Sequence, residues 1–282
     1  AITCNKQLPV EIYSRIYSSL ESGFKSRNIE ALKGLDFVEK HFGKKGIYAL
    51  DRGYDANLYY EYFADCKDFV IRAKGNRNVI YKGKSINIEK VADLYKGKYA
   101  YHYKNKKSKE RHLKFSYAPI KLPALKDKEL TLVIIRGLGK KPMLLISNLK
   151  PDAKKLTLAI LKYYIKRWRI EEYFRIKKKK FDLENFRVRS IKRIRNLDLI
   201  LSITIGFLAL FSDKKRKTKL RIIVKKVSER IYEIPDFDYY ALADGIKEIL
   251  AKAYTGIASF LKSSYKKRRS QKNLRLSLPL WQ

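Results

Sequence analysis

Apolar and polar positions along this chain switch between two periods, and the switches divide it. Residues 6–19 (KQLPVEIYSRIYSS) alternate at period two and are expected to form strand, the second arm of a hairpin. Residues 26–42 change to helical spacing, with Ile29, Leu32, Leu35, Phe37 and Val38 as the expected core contacts. A short apolar run, Gly46-Ile47-Tyr48-Ala49-Leu50, then stops at Asp51-Arg52-Gly53, which predicts a buried strand ending in a turn. Asp55 is placed to cap a helix over residues 56–64, and residues 68–73 (DFVIRA) predict another strand. From Gly75 to Pro151, glycines 75, 83, 97, 137 and 139 punctuate short runs at 78–81, 99–103, 113–117, 130–136 and 142–147, the texture of an antiparallel β module. Helical periodicity returns over 153–180 and 190–211, and again near 239–265, before the basic run Lys266-Lys267-Arg268-Arg269 and a leucine-rich segment at 274–280. No repeat is evident.

Composition sharpens this picture through charge. Hydrophobic residues make up 45% of the 282, enough for a folded core. Against 28 Asp+Glu stand 65 Lys+Arg, a net charge of +37, which implies a polyanionic partner, most simply nucleic acid. The plainer alternative is a lysine-rich chain from an AT-rich genome, with much of that charge simply solvated. Cys4 and Cys66 are too few and too far apart for a disulfide framework or a cysteine metal site, which fits a reducing cytoplasm. The longest apolar run, residues 199–211, contains Ser202, Thr204 and Gly206. It is expected to be a buried helix, too short to span a bilayer, so no membrane partner is expected. There is no signal-peptide pattern. The chain begins at Ala1 and its one methionine is Met143, so an upstream segment is expected to be missing.

Candidate chemistry gathers on the stretch 156–181. Taken as one helix at about 100° per residue, with Tyr164 at zero, Arg167, Glu171 and Lys178 fall near −60°, −20° and −40°. An apolar stripe of Leu156, Ala159, Tyr163, Ile170, Phe174 and Phe181 lies at roughly −80° to −140°, so the quartet borders the expected buried edge. Glu172 lies near +80° on the same wheel, the better place for a surface ion pair with a neighbouring arginine. Arg167 and Lys178 can be a salt-bridged face, or can grip phosphate, Arg bidentately and Lys as a point charge. Asp51, at a strand end, is the second carboxylate that stands out, 120 positions before Glu171. A turn or capping role competes at Asp51, although Asp55 reads as the better cap. Paired carboxylates can hold two Mg²⁺ ions for phosphoryl transfer.

The spacing Tyr164-x2-Arg167-x3-Glu171-x6-Lys178 resembles the YREK motif of DDE-type bacterial insertion-sequence transposases. Ala49-Leu50-Asp51-Arg52-Gly53-Tyr54 is similar to the segment carrying that family's second catalytic Asp, and the strand-rich block to its β insertion; the resemblance covers about residues 8–212. It implies an α/β fold: a ribonuclease H-like mixed sheet with flanking helices, interrupted by an antiparallel β insertion. The implied division is residues 1–74 as the first part of the core, 75–151 as insertion, 152–212 as the second part with the catalytic helix, and 213–282 as a basic, mostly helical tail. By resemblance, Asp51 and Glu171 are catalytic ligands of a two-metal Mg²⁺ or Mn²⁺ site, while Tyr164, Arg167 and Lys178 contact DNA near the scissile phosphate. The implied reaction is cleavage at a transposon end, freeing a 3′-hydroxyl that attacks target DNA; some relatives pass through a hairpin with a flipped base. The implied partners are double-stranded DNA, at transposon ends and target, and a second copy of the chain on that DNA. The implied place is the cytoplasm, at the nucleoid. The insertion holds no tryptophan, leaving Tyr101 and Tyr103 as stacking substitutes.

One departure limits the expectation. The family's first catalytic Asp belongs on a first strand, yet residues 1–35 contain no Asp, and Asp36 falls in the wrong element. The first strand is therefore expected to be missing and the chain to be a catalytically incomplete transposase fragment. The alternative is an inactive, transposase-derived DNA-binding remnant. A basic RNA-binding protein is a third reading, but nothing in the chain resembles an RNA-recognition strand motif.

Overall fold

The computed structural model describes residues 9–43, 46–64, 67–104, 110–150, 154–211, 219–228 and 238–252. Helix α1 (Arg27–Phe42) forms where the periodicity predicts it, but its expected core face is corrected: Phe37 is exposed, Ile29, Leu32, Leu35 and Val38 are half-buried, and the buried residues are Glu30, paired with Arg15 and Lys33, and Gly34. Residues 35–168 form one unit, and residues 1–34 with 169–282 form a second.

The 35–168 unit is built on a mixed sheet. Its first strand, β1 (Tyr48–Leu50), runs into a 3₁₀ turn and then α2 (Asn57–Phe63), which returns the chain to β2 (Phe69–Arg72) parallel to β1. A parallel pair needs such a crossover. Tyr59, Tyr60 and Phe63 of α2 are buried, and the Tyr60 and Phe63 rings pack on Phe69. All remaining pairings are antiparallel. β3 (Asn78–Tyr81) and β4 (Lys84–Asn87) form a hairpin whose two turn residues, Lys82 and Gly83, both have positive φ. That is the twist-compatible two-residue connection, which favours glycine and which Lys82 adopts beside it. Helix α3 (Ile88–Asp93) follows, capped by the Asn87 side chain. Strand β5 (Tyr99–Lys104) pairs with β6 (Glu110–Leu122), which turns through Pro123-Ala124 into β7 (Leu125–Arg136) and then β8 (Met143–Ser147). The strand order is β1-β2-β8-β7-β6-β3-β4, with β5 beside β6. Strand β8 joins the antiparallel module to β2, so one sheet runs through both. Helix α4 (Lys154–Lys166) packs across it: Ile160, Leu161 and Tyr164 meet Val70, Phe115, Val133 and Leu145 in a single core. The mixed sheet with flanking helices is the ribonuclease H-like architecture the sequence implied.

The other unit is helical. Its core joins Tyr173, Ile176, Leu201, Ile205, Leu208, Val224, Leu242 and Ile249. These come from α5 (Arg169–Arg175), a π turn (Ile176–Lys180), α6 (Ile191–Phe211), α7 (Lys219–Val227) and α8 (Asp238–Lys252). Helix α6 corrects one expectation. At 21 residues it is longer than the apolar run alone and, by length and composition, long and apolar enough to cross a membrane. Only one stripe of it is buried, while Leu199, Ile200, Ile203, Phe207 and Leu210 are exposed. The buried stripe also carries a charge. Asp198 bonds Lys177 Nζ at 2.7 Å and accepts from the Ser14 hydroxyl at 2.6 Å, which ties α6 to its own unit.

The strand expected over 6–19 does not form. Residues 6–8 lie outside the described residues; of the rest, only Val10 makes a bridge contact and the others are irregular. Pro9 has no N–H for a ladder, and the polar side chains of the alternation bond to helices instead. Glu11 accepts from Lys177 and Ser202, Ser14 donates to Asp198, and the Ile16 carbonyl accepts from Arg195.

Candidate active site

Asp51 follows the last residue of β1, at the C-terminal end of the parallel pair. Its Oδ1 accepts the Gly53 N–H at 2.8 Å and caps the 3₁₀ turn Arg52–Tyr54. The capping role is thus real, but it occupies one carboxylate oxygen; Oδ2 has no hydrogen-bond partner among the described residues. Asp55, expected to be the cap, is something else. The α2 N-cap is Ala56, with no side-chain bond. The Asp55 carboxylate is buried and takes three partners: the Tyr60 hydroxyl (2.8 Å), the Lys74 backbone N–H (2.6 Å) and the Arg77 guanidinium (Nε, 2.6 Å). A buried carboxylate is tolerated only with such partners.

The helix expected over 153–180 is interrupted. After α4, the Arg167 and Trp168 amides bond the carbonyls three residues back, Tyr164 and Ile165, and the helical ladder stops. It restarts at α5 and widens into the π turn, where the Phe181 amide reaches back five residues to Ile176. A wheel at 100° per residue does not carry across such a break. The expected apolar stripe is corrected with it. Leu156, Tyr163 and Phe174 are exposed, and the buried face of α4 is instead Thr157, Ile160, Leu161 and Tyr164.

The quartet is distributed between the two units. Within the 35–168 unit, Tyr164 is fully buried in the sheet core, its hydroxyl has no hydrogen-bond partner among the described residues, and the Arg167 guanidinium lies 5.4 Å from its ring centroid. Within the other unit, Glu171 is exposed in the first turn of α5, not beside a buried stripe. Glu172 takes the ion pair foreseen for it, with Arg175 at 2.5 Å. Lys178 is exposed and pairs with Glu184 at 2.6 Å. Its neighbour Lys177, one of four consecutive lysines, is buried and held by Glu11, Asp198 and Ser202. The sequence marks Asp55 only as a helix cap, not as a buried ion-pair partner, and Lys177 does not stand out in it. The one available signal for Lys177 was its i+4 spacing from Tyr173, which is also buried.

A family model described as Transposase DDE domain matches residues 28–207, more than half of the 282. The chain belongs to that family. No curated protein matches it. The match spans Asp51 and the whole YREK-like quartet and places the protein among transposases, enzymes that act on DNA and, in the DDE class, generally use divalent metal ions. Whether the residues fit such an ion is answered first at Asp51. A half-buried carboxylate with one oxygen fixed by a backbone amide and the other without a partner among the described residues suits a hard cation that takes oxygen ligands. Among the described residues no group of three or more His, Cys, Asp or Glu gathers.

Proposed function

We propose that this protein carries two of the metal-binding carboxylates, Asp51 and Glu171, of a transposase that cleaves transposon-end DNA and transfers the freed strand to target DNA, while residues 1–35 hold no Asp to serve as the first. The observation that carries this reading is Asp51 itself. It stands at the end of a parallel strand in a mixed sheet, with an uncommitted oxygen, inside the matched DDE domain. A bound Mg²⁺ or Mn²⁺ would supply activation of the attacking oxygen and stabilisation of the leaving one.

The chain's own residues do the rest. The Gly53 amide fixes the direction of the Asp51 carboxylate, so its open oxygen is preorganised. Arg167, lying on the Tyr164 ring, offers a planar fork for phosphate, and Tyr164 acts mainly as the platform that holds it. Lys178 adds a mobile point charge once it leaves Glu184, an exposed pair that costs little to break. The charge of +37 draws the DNA backbone to the surface. The active form is a pair of copies bridging two DNA ends, and it works at the nucleoid.

Binding to duplex DNA at two salt concentrations by protein supplied with a first-strand Asp, followed by addition of Mg²⁺ and separation of the strands on a denaturing gel, tests the proposal. The expected result is salt-sensitive binding with Mg²⁺-dependent nicks at the element's ends. Binding that Mg²⁺ never converts to a nick would replace the enzyme with a DNA-binding remnant.

A further inference from the structure

The short loop between β2 and β3, residues 73–77, is held far more firmly than a surface turn requires. The Ala73 amide bonds the Leu144 carbonyl at 2.9 Å, and the Lys74 amide bonds the buried Asp55 carboxylate at 2.6 Å. The Asn87 carboxamide donates to the Gly75 carbonyl at 3.0 Å, and the Ile88 amide to the Arg77 carbonyl at 2.9 Å. The Arg77 side chain is half-buried, paired with Asp55 and donating to the Asn57 side-chain Oδ1 at 3.0 Å. The outward-facing side chains contrast with this. Lys74, Asn76 and Asn78 are exposed, and among the described residues none has a side-chain partner. They line a shallow cleft of about 360 Å³ together with the Asp55–Arg77 pair, Asn57 and, from the β6–β7 turn, Pro123. A fixed backbone presenting one cation and two carboxamides, none engaged internally, is the arrangement expected of a preorganised recognition element.

We infer that Lys74, Asn76 and Asn78 form a sequence-reading contact for one nucleotide step of duplex DNA. This deepens, and rests on, the reading of the protein as one that acts on DNA. Lys74 supplies the phosphate contact. The carboxamides of Asn76 and Asn78 each offer a donor and an acceptor on one planar group, the pairing that matches adenine at its N6 and N7 edge. Asp55 and Arg77 are positioning residues, acting only through the loop they hold. The three exposed side chains make no internal bond, so replacing them leaves the fold intact, and unchanged thermal unfolding verifies that.

The test combines selection from a random-sequence duplex library, with sequencing of the bound fraction, and titration of one fixed random-sequence duplex. Wild type is expected to enrich at least one A·T-preferring position. Asn76→Ala/Asn78→Ala is expected to keep affinity for the fixed duplex within about twofold and to lose roughly tenfold of that preference at that position alone. Lys74→Ala is expected to weaken all duplexes evenly and to flatten the logarithmic salt dependence by about one. An unchanged preference in the double variant, or a wild type that binds with no enriched position, overturns this inference and leaves the DNA-acting reading standing. A wild type that binds no duplex overturns both.

Discussion

Replacing Asp55 with Ala is expected to be among the most destabilising single changes in the 35–168 unit, although Asp55 touches no proposed substrate. The side chain is 1% exposed and the Arg77 side chain facing it 14% exposed, so water cannot replace what is lost. Three groups lose their acceptor at once: a guanidinium, the Tyr60 hydroxyl and the Lys74 amide. Leaving one member of a buried ion pair uncompensated costs roughly 3–5 kcal/mol, and each stranded neutral donor about 1–3. These losses overlap, because relaxation that admits water to one admits it to all, so the expected total stays at about 4–5 kcal/mol. In a chain of this size that is a fall in Tm on the order of 10 °C. Asp55→Asn keeps an acceptor oxygen but loses the charge, and is expected to cost about half as much. Urea unfolding followed by circular dichroism measures both variants, and a cycle with Arg77→Ala isolates the pair. The expected coupling is about 1–3 kcal/mol. A loss below about 1 kcal/mol for Asp55→Ala, or strict additivity with Arg77→Ala, would refute the reasoning.

Lys177→Met leaves Glu11 and Asp198 buried without their shared cation, and is expected to cost roughly 3–5 kcal/mol in urea unfolding; a near-neutral result would mean that water reaches the cluster. Tyr164→Phe deletes a buried hydroxyl that has no hydrogen-bond partner among the described residues, so stability is expected to hold or rise by up to about 1 kcal/mol, and a loss larger than that would reveal a partner. Stability should also fall at alkaline pH. Burial first and the Asp55 charge second push the Tyr60 phenol well above its ordinary 10.0; burial and then the bond to Asp36 do the same at Tyr62, and burial with the Tyr81 contact raises Tyr95 to about 12. Because the fold favours the neutral phenol, this stability is complete below the unfolded value of 10.0 and is lost as pH rises through the folded values. Urea midpoints between pH 9 and 12.5, read beside phenolate absorbance, check it; midpoints that stay flat while the absorbance titrates at the ordinary value would contradict it.

How legible the fold was in the sequence depended on how local its cause was. The strands at 78–81, 99–104 and 143–147 were readable because alternation and glycine punctuation are local signals. The same reasoning placed β1 and its stop at Asp51, since an apolar run that meets Asp-Arg-Gly has few other ways to end. It failed over 9–19, where alternation is present but Glu11, Ser14 and Ile16 bond to α6 and Lys177. The choice there is tertiary. The quartet illustrates the same limit: its spacing is a motif, but the wheel assumed one ladder, and the short amide bonds at Arg167 and Trp168 end that ladder. Asp55 was misread because its partner Arg77 lies 22 positions on, beyond any local rule. Lys82 was overlooked as a turn residue because glycine, not lysine, is the usual signal for positive φ.

The central proposal is that Asp51 and Glu171 are each metal-binding carboxylates that DNA cleavage requires. The most direct measurement is strand cleavage of the element's own terminal-repeat DNA in Mg²⁺ by protein supplied with a first-strand Asp, with the unsubstituted form, Asp51→Asn and Glu171→Gln compared at equal DNA occupancy. Glu171 is exposed and Asp51 half-buried, and Asn at 51 keeps an oxygen for the Gly53 amide, so both variants should fold and bind DNA as wild type does. The expected result is loss of at least roughly a hundredfold in cleavage rate for each, in line with removing a ligand that supports a bound metal. Full cleavage by Glu171→Gln, or by Asp51→Asn, would contradict the assignment.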